Sequence, residues 1–257
     1  MSHRFSVLAL TLALSLMALV AAPARAAVML IVPPTASTPA IPVYVARPPG
    51  NGPFPAVLLL HGCAGFDGYL AVGADRLAAH GYVGAALDVL GPHGMQTACN
   101  GPSDGDEAGA ARAVLAWLRT QPYVMLDKLA VIGFSMGADA ALTLIDTPGS
   151  LAPVGLQVAA VYYPSCTGRD GLVRVPLHIF DGSADQIAPP APCAAMAKAG
   201  AAAGKPIAIT TYPGATHGFD VPGPDHDFYG TKVHFDPAAA LDSAQQILQL
   251  LARYLGP

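Results

Sequence analysis

The apolar segments of this chain are short, and they are apolar at every position rather than at every second one. Ala56-Val-Leu-Leu-Leu60, Leu129-Ala-Val-Ile132 and Val158-Ala-Ala-Val161 each stop at or near Gly, Pro or a polar residue. A strand with one wet face alternates, whereas a strand apolar throughout is buried on both faces, as in a parallel sheet covered by helices. With 53% hydrophobic and only 12% charged residues, the chain is not a disordered polymer. Only residues 5–22 approach the roughly 20 apolar residues that cross a bilayer as a helix.

That N-terminal stretch reads as a secretory signal. His3 and Arg4 form a basic start, residues 5–20 an apolar middle, and Ala24-Arg25-Ala26 a small-x-small cleavage site. Cleavage after Ala26 predicts an exported chain, periplasmic or secreted, with a domain over 27–257. The removed piece carries Arg4, Arg25 and no acid, so 17 acidic residues face 11 basic ones in the remainder, a formal charge of −6. A mildly acidic chain without a Lys/Arg block argues against a nucleic-acid partner. After cleavage no stable membrane association is expected, and nothing legible in the sequence sets the oligomeric state. Export also bears on Cys63, Cys99, Cys166 and Cys193. They contain no C-x-x-C pair, which argues against zinc, and an even count in an exported protein favours two disulfides, for which three pairings exist.

Strands are expected over 28–32 and 41–46 as an antiparallel pair, then over 56–61, 82–88, 129–134, 158–163, 176–180 and 207–212. Helices are expected over 69–80, 106–120, 136–145, 190–203 and 237–255. Ala110, Ala113, Val114, Trp117 and Leu118 mark one face of the second helix. Leu241, Ala244, Ile247, Leu248, Leu251 and Leu255 mark one face of the last, with Asp236 as N-cap and Pro237 at its first position. Strands alternating with helices, without an internal repeat or a dividing linker, predict one α/β domain whose mostly parallel sheet is flanked by helices on both faces.

Gly133-Phe-Ser-Met-Gly137 falls between a predicted buried strand and a predicted helix. A G-x-S-x-G turn there lifts the Ser135 hydroxyl above the C-terminal edge of the sheet, where a helix N-terminus favours negative charge. A serine needs a base, and the base needs an orienting carboxylate, in the chain order Ser…Asp…His. His217, in the loop after the strand over 207–212, is the expected base. His80 and His93 precede the serine, His178 lies within a strand, and His226 and His234 have no assigned place. Asp185 is the expected acid, because the Gly182–Asp185 spacing lets the loop swing its carboxylate towards the histidine; Asp181 is the alternative. The backbone N–H groups of Met136 and Cys63 are the expected oxyanion donors.

These segments resemble the dienelactone hydrolase family of α/β-hydrolases. The resemblance rests on His61-Gly-Cys-Ala-Gly65, Asp88-Val-Leu-Gly-Pro-His-Gly94, Gly133-Phe-Ser-Met-Gly137, Tyr163-Pro-Ser-Cys166, Gly182-Ser-Ala-Asp185 and Tyr212-Pro-Gly-Ala-Thr-His-Gly-Phe219. It implies an α/β-hydrolase fold without a lid domain and without a metal or cofactor. It also implies a strand order that sets Cys63 beside Cys99 and Cys166 beside Cys193, hence those two disulfides. The chain departs from the lactone-opening enzymes twice: Ser135 stands where they use cysteine, and Gly62 where they carry the glutamate that meets that thiol. It therefore resembles a serine-using, exported branch. Arg169 is the candidate for binding a substrate carboxylate. The expected activity is hydrolysis of a small-molecule carboxylic ester or lactone through an acyl-serine. The alternatives are an exported polyester or cutin hydrolase, and a non-catalytic binding protein on the same scaffold.

Overall fold

Even and odd residues of the central strands enter different cores, which is what burial of both faces requires. In this computed structural model, which describes residues 25–101, 106–146, 154–228 and 230–256, strand β3 spans Phe54–Leu60. Its Ala56, Leu58 and Leu60 join one apolar cluster, while Val57 and Leu59 join the other. The main sheet also contains β1 (Arg25–Val32), β2 (Ile41–Arg47), β4 (Val83–Leu87), β5 (Val124–Phe134), β6 (Leu156–Tyr162), β7 (Leu177–Gly182) and β8 (Ile207–Tyr212). Its order is β1-β2-β4-β3-β5-β6-β7-β8. The β1–β2 and β2–β4 pairs are antiparallel, and every pairing from β4 through β8 is parallel. The signal segment lies outside the described residues apart from Arg25 and Ala26, which belong to β1.

Helices α2 (Glu107–Leu118) and α3 (Met136–Asp146) pack on one face, with α4 (Ala191–Ala202). Helices α1 (Gly68–Ala79) and α5 (Pro237–Leu255) cover the other. Helix α5 begins where the sequence places it: the Asp236 carboxylate accepts from the Ala238 and Ala239 amides, and Pro237 follows. Its buried face, however, is Ala239, Ser243, Ile247, Leu251 and Leu255, while Ala244 faces solvent and Leu241 is 62% exposed. Ala239, Ser243, Ile247, Leu251 and Leu255 form an i, i+4 row, and Leu241, midway between the first two, lies ~160° around the helix from both at 100° per residue. Similarly, α2 buries Ala111 and Leu115 fully, whereas Ala113 and Trp117 are only half-buried.

Two features were not expected. Strand β5 starts at Val124, pairing Phe54 before the register shifts. A short hairpin, β9 (His226–Phe228) and β10 (Thr231–Val233), stands between His217 and α5. Its turn ends at Gly230, whose φ of +75° suits glycine.

Candidate active site

The strand-to-helix turn after β5 is built by close backbone approach. A Cβ on Gly133 would lie 2.2 Å from the Gly137 carbonyl oxygen, and one on Gly137 would lie 2.5 Å from that of Leu60. Only glycines let α3 start so tightly against β3 and β5. Ser135, between them, takes φ +52°, the left-handed conformation that an exposed nucleophile on such a turn adopts.

The loops after β7 and β8 meet over Ser135. A Cβ on Gly182 would sit 2.3 Å from the Ala215 oxygen, and Ala184 N–H donates to that same oxygen at 3.0 Å. This contact brings Asp185 to His217: Asp185 Oδ2 lies 2.8 Å from His217 Nδ1, and His217 Nε2 lies 2.9 Å from Ser135 Oγ. The second carboxylate oxygen of Asp185 accepts from the Ile187 and Ala188 amides at 2.8 Å each, so the acid is fixed at both ends. Asp181 does not reach the histidine. It is 1% exposed, both its oxygens lack a hydrogen-bond partner among the described residues, and burial, then the Asp185 charge, pushes its carboxyl up to about 7.

On the other side of Ser135, the segment after β3 lies against the turn. A Cβ on Gly62 would stand 3.5 Å from both Ser135 Cβ and the Phe134 oxygen. The amides of Cys63 and Met136 have no protein acceptor among the described residues, as a free pair of oxyanion donors requires. His61 holds this segment. Its Nε2 accepts from the Val89 amide at 3.2 Å, which leaves the proton on Nδ1 to donate to the Gly62 oxygen at 2.7 Å. Burial lowers its pKa. Glu107 Oε1 approaches His61 Nδ1 at 3.9 Å, but both groups are held neutral: burial, with the Asp139 charge behind it, pushes the Glu107 carboxyl up to about 8. The contact is therefore not an ion pair.

Disulfides Cys63–Cys99 and Cys166–Cys193 form, the pairing that the family resemblance implies. Arg169 does not face the site. It pairs with Asp146 and donates to the Asp139 carbonyl at 3.0 Å and to Thr143 Oγ1 at 3.1 Å. Asp220, Tyr69 and Tyr163 were not among the expected site residues. The Asp220 carboxylate, 6% exposed, accepts from the Tyr163 hydroxyl at 2.8 Å and from that of Tyr69. Burial raises the pKa of all three groups. The Tyr163 ring lies 4.5 Å from that of His217 and so braces the imidazole. A cavity of about 370 Å³ opens over Ser135 and His217, walled on one side by the β9–β10 hairpin, which places His226 and His234 at its rim.

A parallel sheet of this order with a serine turn at the C-terminal end of β5 defines an α/β-hydrolase. The chain belongs to the dienelactone hydrolase family, whose sequence profile matches residues 41–255. Chlorophyllase-1 of Citrus sinensis is 29% identical over 137 residues, 49% of this chain but only 39% of that protein's length. Two solved structures show the same fold. A dienelactone hydrolase-like promiscuous phosphotriesterase from metagenomic libraries has a TM-score of 0.70 at 19% identity, covering 91% of this chain and 100% of its own. The thermophilic esterase of Thermogutta terrifontis with butyrate bound has a TM-score of 0.65 at 17% identity, covering 90% and 96%.

Proposed function

We propose that this chain is a serine hydrolase of carboxylic esters or lactones, with Ser135 as nucleophile, His217 as base and Asp185 as orienting acid. The observation that carries it is the unbroken chain of contacts Asp185–His217–Ser135 ending beside two amides with no other acceptor. The Nδ1–H of His217 donates to Asp185, which leaves the Nε2 lone pair for the Ser135 proton. Ser135 Oγ attacks the carbonyl carbon, and the oxygen that gains charge rests on the Cys63 and Met136 amides. The alcohol leaves with the proton from His217. Water then attacks the acyl-serine, with His217 again as base, and releases the acid.

Ser135→Ala is expected to lower kcat for a p-nitrophenyl ester by ~10⁴-fold or more, with an unchanged circular dichroism spectrum and Tm. Retention of a tenth of the wild-type rate would overturn the assignment. We also propose that residues 27–257 form one domain, exported to the periplasm or the medium after cleavage behind Ala26. The two disulfides favour an oxidising compartment, and no described helix is long and apolar enough to cross a membrane. N-terminal sequencing of the protein from its host should read Ala27 first; a chain retaining Met1 in the cytoplasm would contradict export.

A further inference from the structure

The cavity above Ser135 has a wall whose chemistry narrows the substrate, given the hydrolase activity proposed above. Tyr69, Leu70, Val221, Phe228, Val233 and Phe235 are among the residues that line it. No lysine or arginine lines it among the described residues. The undescribed segments after Arg25 contain none either, since residues 102–105, 147–153, 229 and 257 are all other types. Arg169, the cation that the sequence proposes for a substrate carboxylate, is committed to Asp146, Asp139 and Thr143. The carboxylate that does line the cavity, Asp67, spends Oδ1 on the Tyr69 and Leu70 amides as the cap of α1 and adds negative charge. On the hairpin side His226 and His234 line the cavity, whereas Asp225, Asp227 and Lys232 of the same segment are not among its lining residues.

We propose that this cavity selects uncharged esters and lactones with an apolar group, and rejects substrates that carry a carboxylate near the scissile bond. A buried anion without a cation or a set of donors loses its hydration and gains nothing in return. Here it would also meet the Asp67 carboxylate at the cavity wall. At ~30 Å³ for each water-sized group, the space admits an apolar moiety of roughly a dozen non-hydrogen atoms. The selectivity therefore belongs to the segment that contains the hairpin, not to the catalytic residues, which are indifferent to the distal charge.

The test is a matched pair of substrates: p-nitrophenyl hexanoate, and the mono-p-nitrophenyl ester of adipic acid, which has the same six-carbon acyl chain ending in a carboxylate. At pH 8, kcat/KM should favour hexanoate by at least ~100-fold, and the ratio should persist in 0.5 M NaCl. In Val221→Arg, and separately in His234→Arg, the ratio should narrow by ~10-fold or more. A ratio below ~3 in the wild type overturns the inference while leaving the hydrolase reading in place. So does a ratio that collapses in salt, which would assign it to long-range repulsion, or one that neither arginine moves. Failure to hydrolyse either ester, with no labelling of Ser135 by a phosphonate probe, overturns the hydrolase reading instead.

Discussion

Cys63–Cys99 and Cys166–Cys193 bridge residues 36 and 27 positions apart over the same edge of the sheet, yet they stand in different surroundings. Cys63 and Cys99 are half-buried and line the cavity. Cys63 itself carries one of the free amides, and few bonds hold its segment: Ala98 N–H and Thr97 Oγ1 both donate to the Cys63 carbonyl, and His61 grips Gly62. Cys166 and Cys193 are 1% and 0% exposed, within the main apolar cluster, and Cys193 belongs to α4. Cross-links of similar loop length therefore act on different quantities. Under the proposed mechanism, one fixes the direction of an amide at the reacting centre, and the other fixes a packed loop against a helix.

Removing each bridge should separate the two roles. Cys63→Ala with Cys99→Ala is expected to lower kcat by ~100-fold, the scale of a lost oxyanion donor, besides any loss of stability. Cys166→Ala with Cys193→Ala should cost about 3.5 kcal/mol in denaturant unfolding, while the activity of the folded fraction stays within about threefold. Equal loss of activity in both variants would erase the distinction. Smaller in effect, mild reductant applied to the native protein should open Cys63–Cys99 at least ~10-fold faster than its buried counterpart. Thiol labelling followed by peptide mapping checks the order, and activity should decline with the first bridge.

The smallest expected effect concerns two acids without a hydrogen-bond partner among the described residues, Glu107 beside His61 and Asp181 at the end of β7. Both carboxyls are raised in the fold, to about 8 and about 7 from ordinary values of 4.5 and 3.8. The folded chain thus holds protons that the unfolded chain has released, so both groups lower stability as pH rises, Asp181 between about 4 and 7 and Glu107 between about 4.5 and 8. Glu107→Gln should recover about 1–2 kcal/mol at pH 9, because the amide avoids ionisation while remaining without a partner. Chemical denaturation at pH 5 and pH 9 measures it; identical pH dependence in wild type and variant would contradict the burial argument.

What the sequence revealed divides along the same line as local and distant interactions. Fully apolar runs, glycines around Ser135 and the Asp236–Pro237 start of α5 act within a few residues, so strand, turn and helix are legible there. Asp220 is adjacent to the His217 motif, but its partners Tyr69 and Tyr163 lie 151 and 57 residues away, and no local pattern announces them. The β9–β10 strands are three residues each, too short to display a period, and follow Pro222 and Pro224. Glu107 looks from sequence like an ordinary first-turn acid; only the packing of α2 against His61 buries it. The α5 stripe held at Ile247, Leu251 and Leu255 but missed Ser243 for a related reason, since that residue satisfies its hydroxyl on the Ala240 carbonyl and so tolerates the interior better than its type suggests.

Gly62 opens a different kind of question. A Cβ there would meet Ser135 and Phe134 at ordinary contact distance, so the backbone itself does not demand glycine at this position. The lactone-opening enzymes this chain resembles pair a glutamate at this position with a cysteine in place of Ser135. Exchange of hydroxyl for thiol is thus two substitutions away, and the glutamate can arrive first on an intact scaffold. The choice of nucleophile is evolutionarily shallow here: it is written in two neighbouring side chains rather than in the architecture.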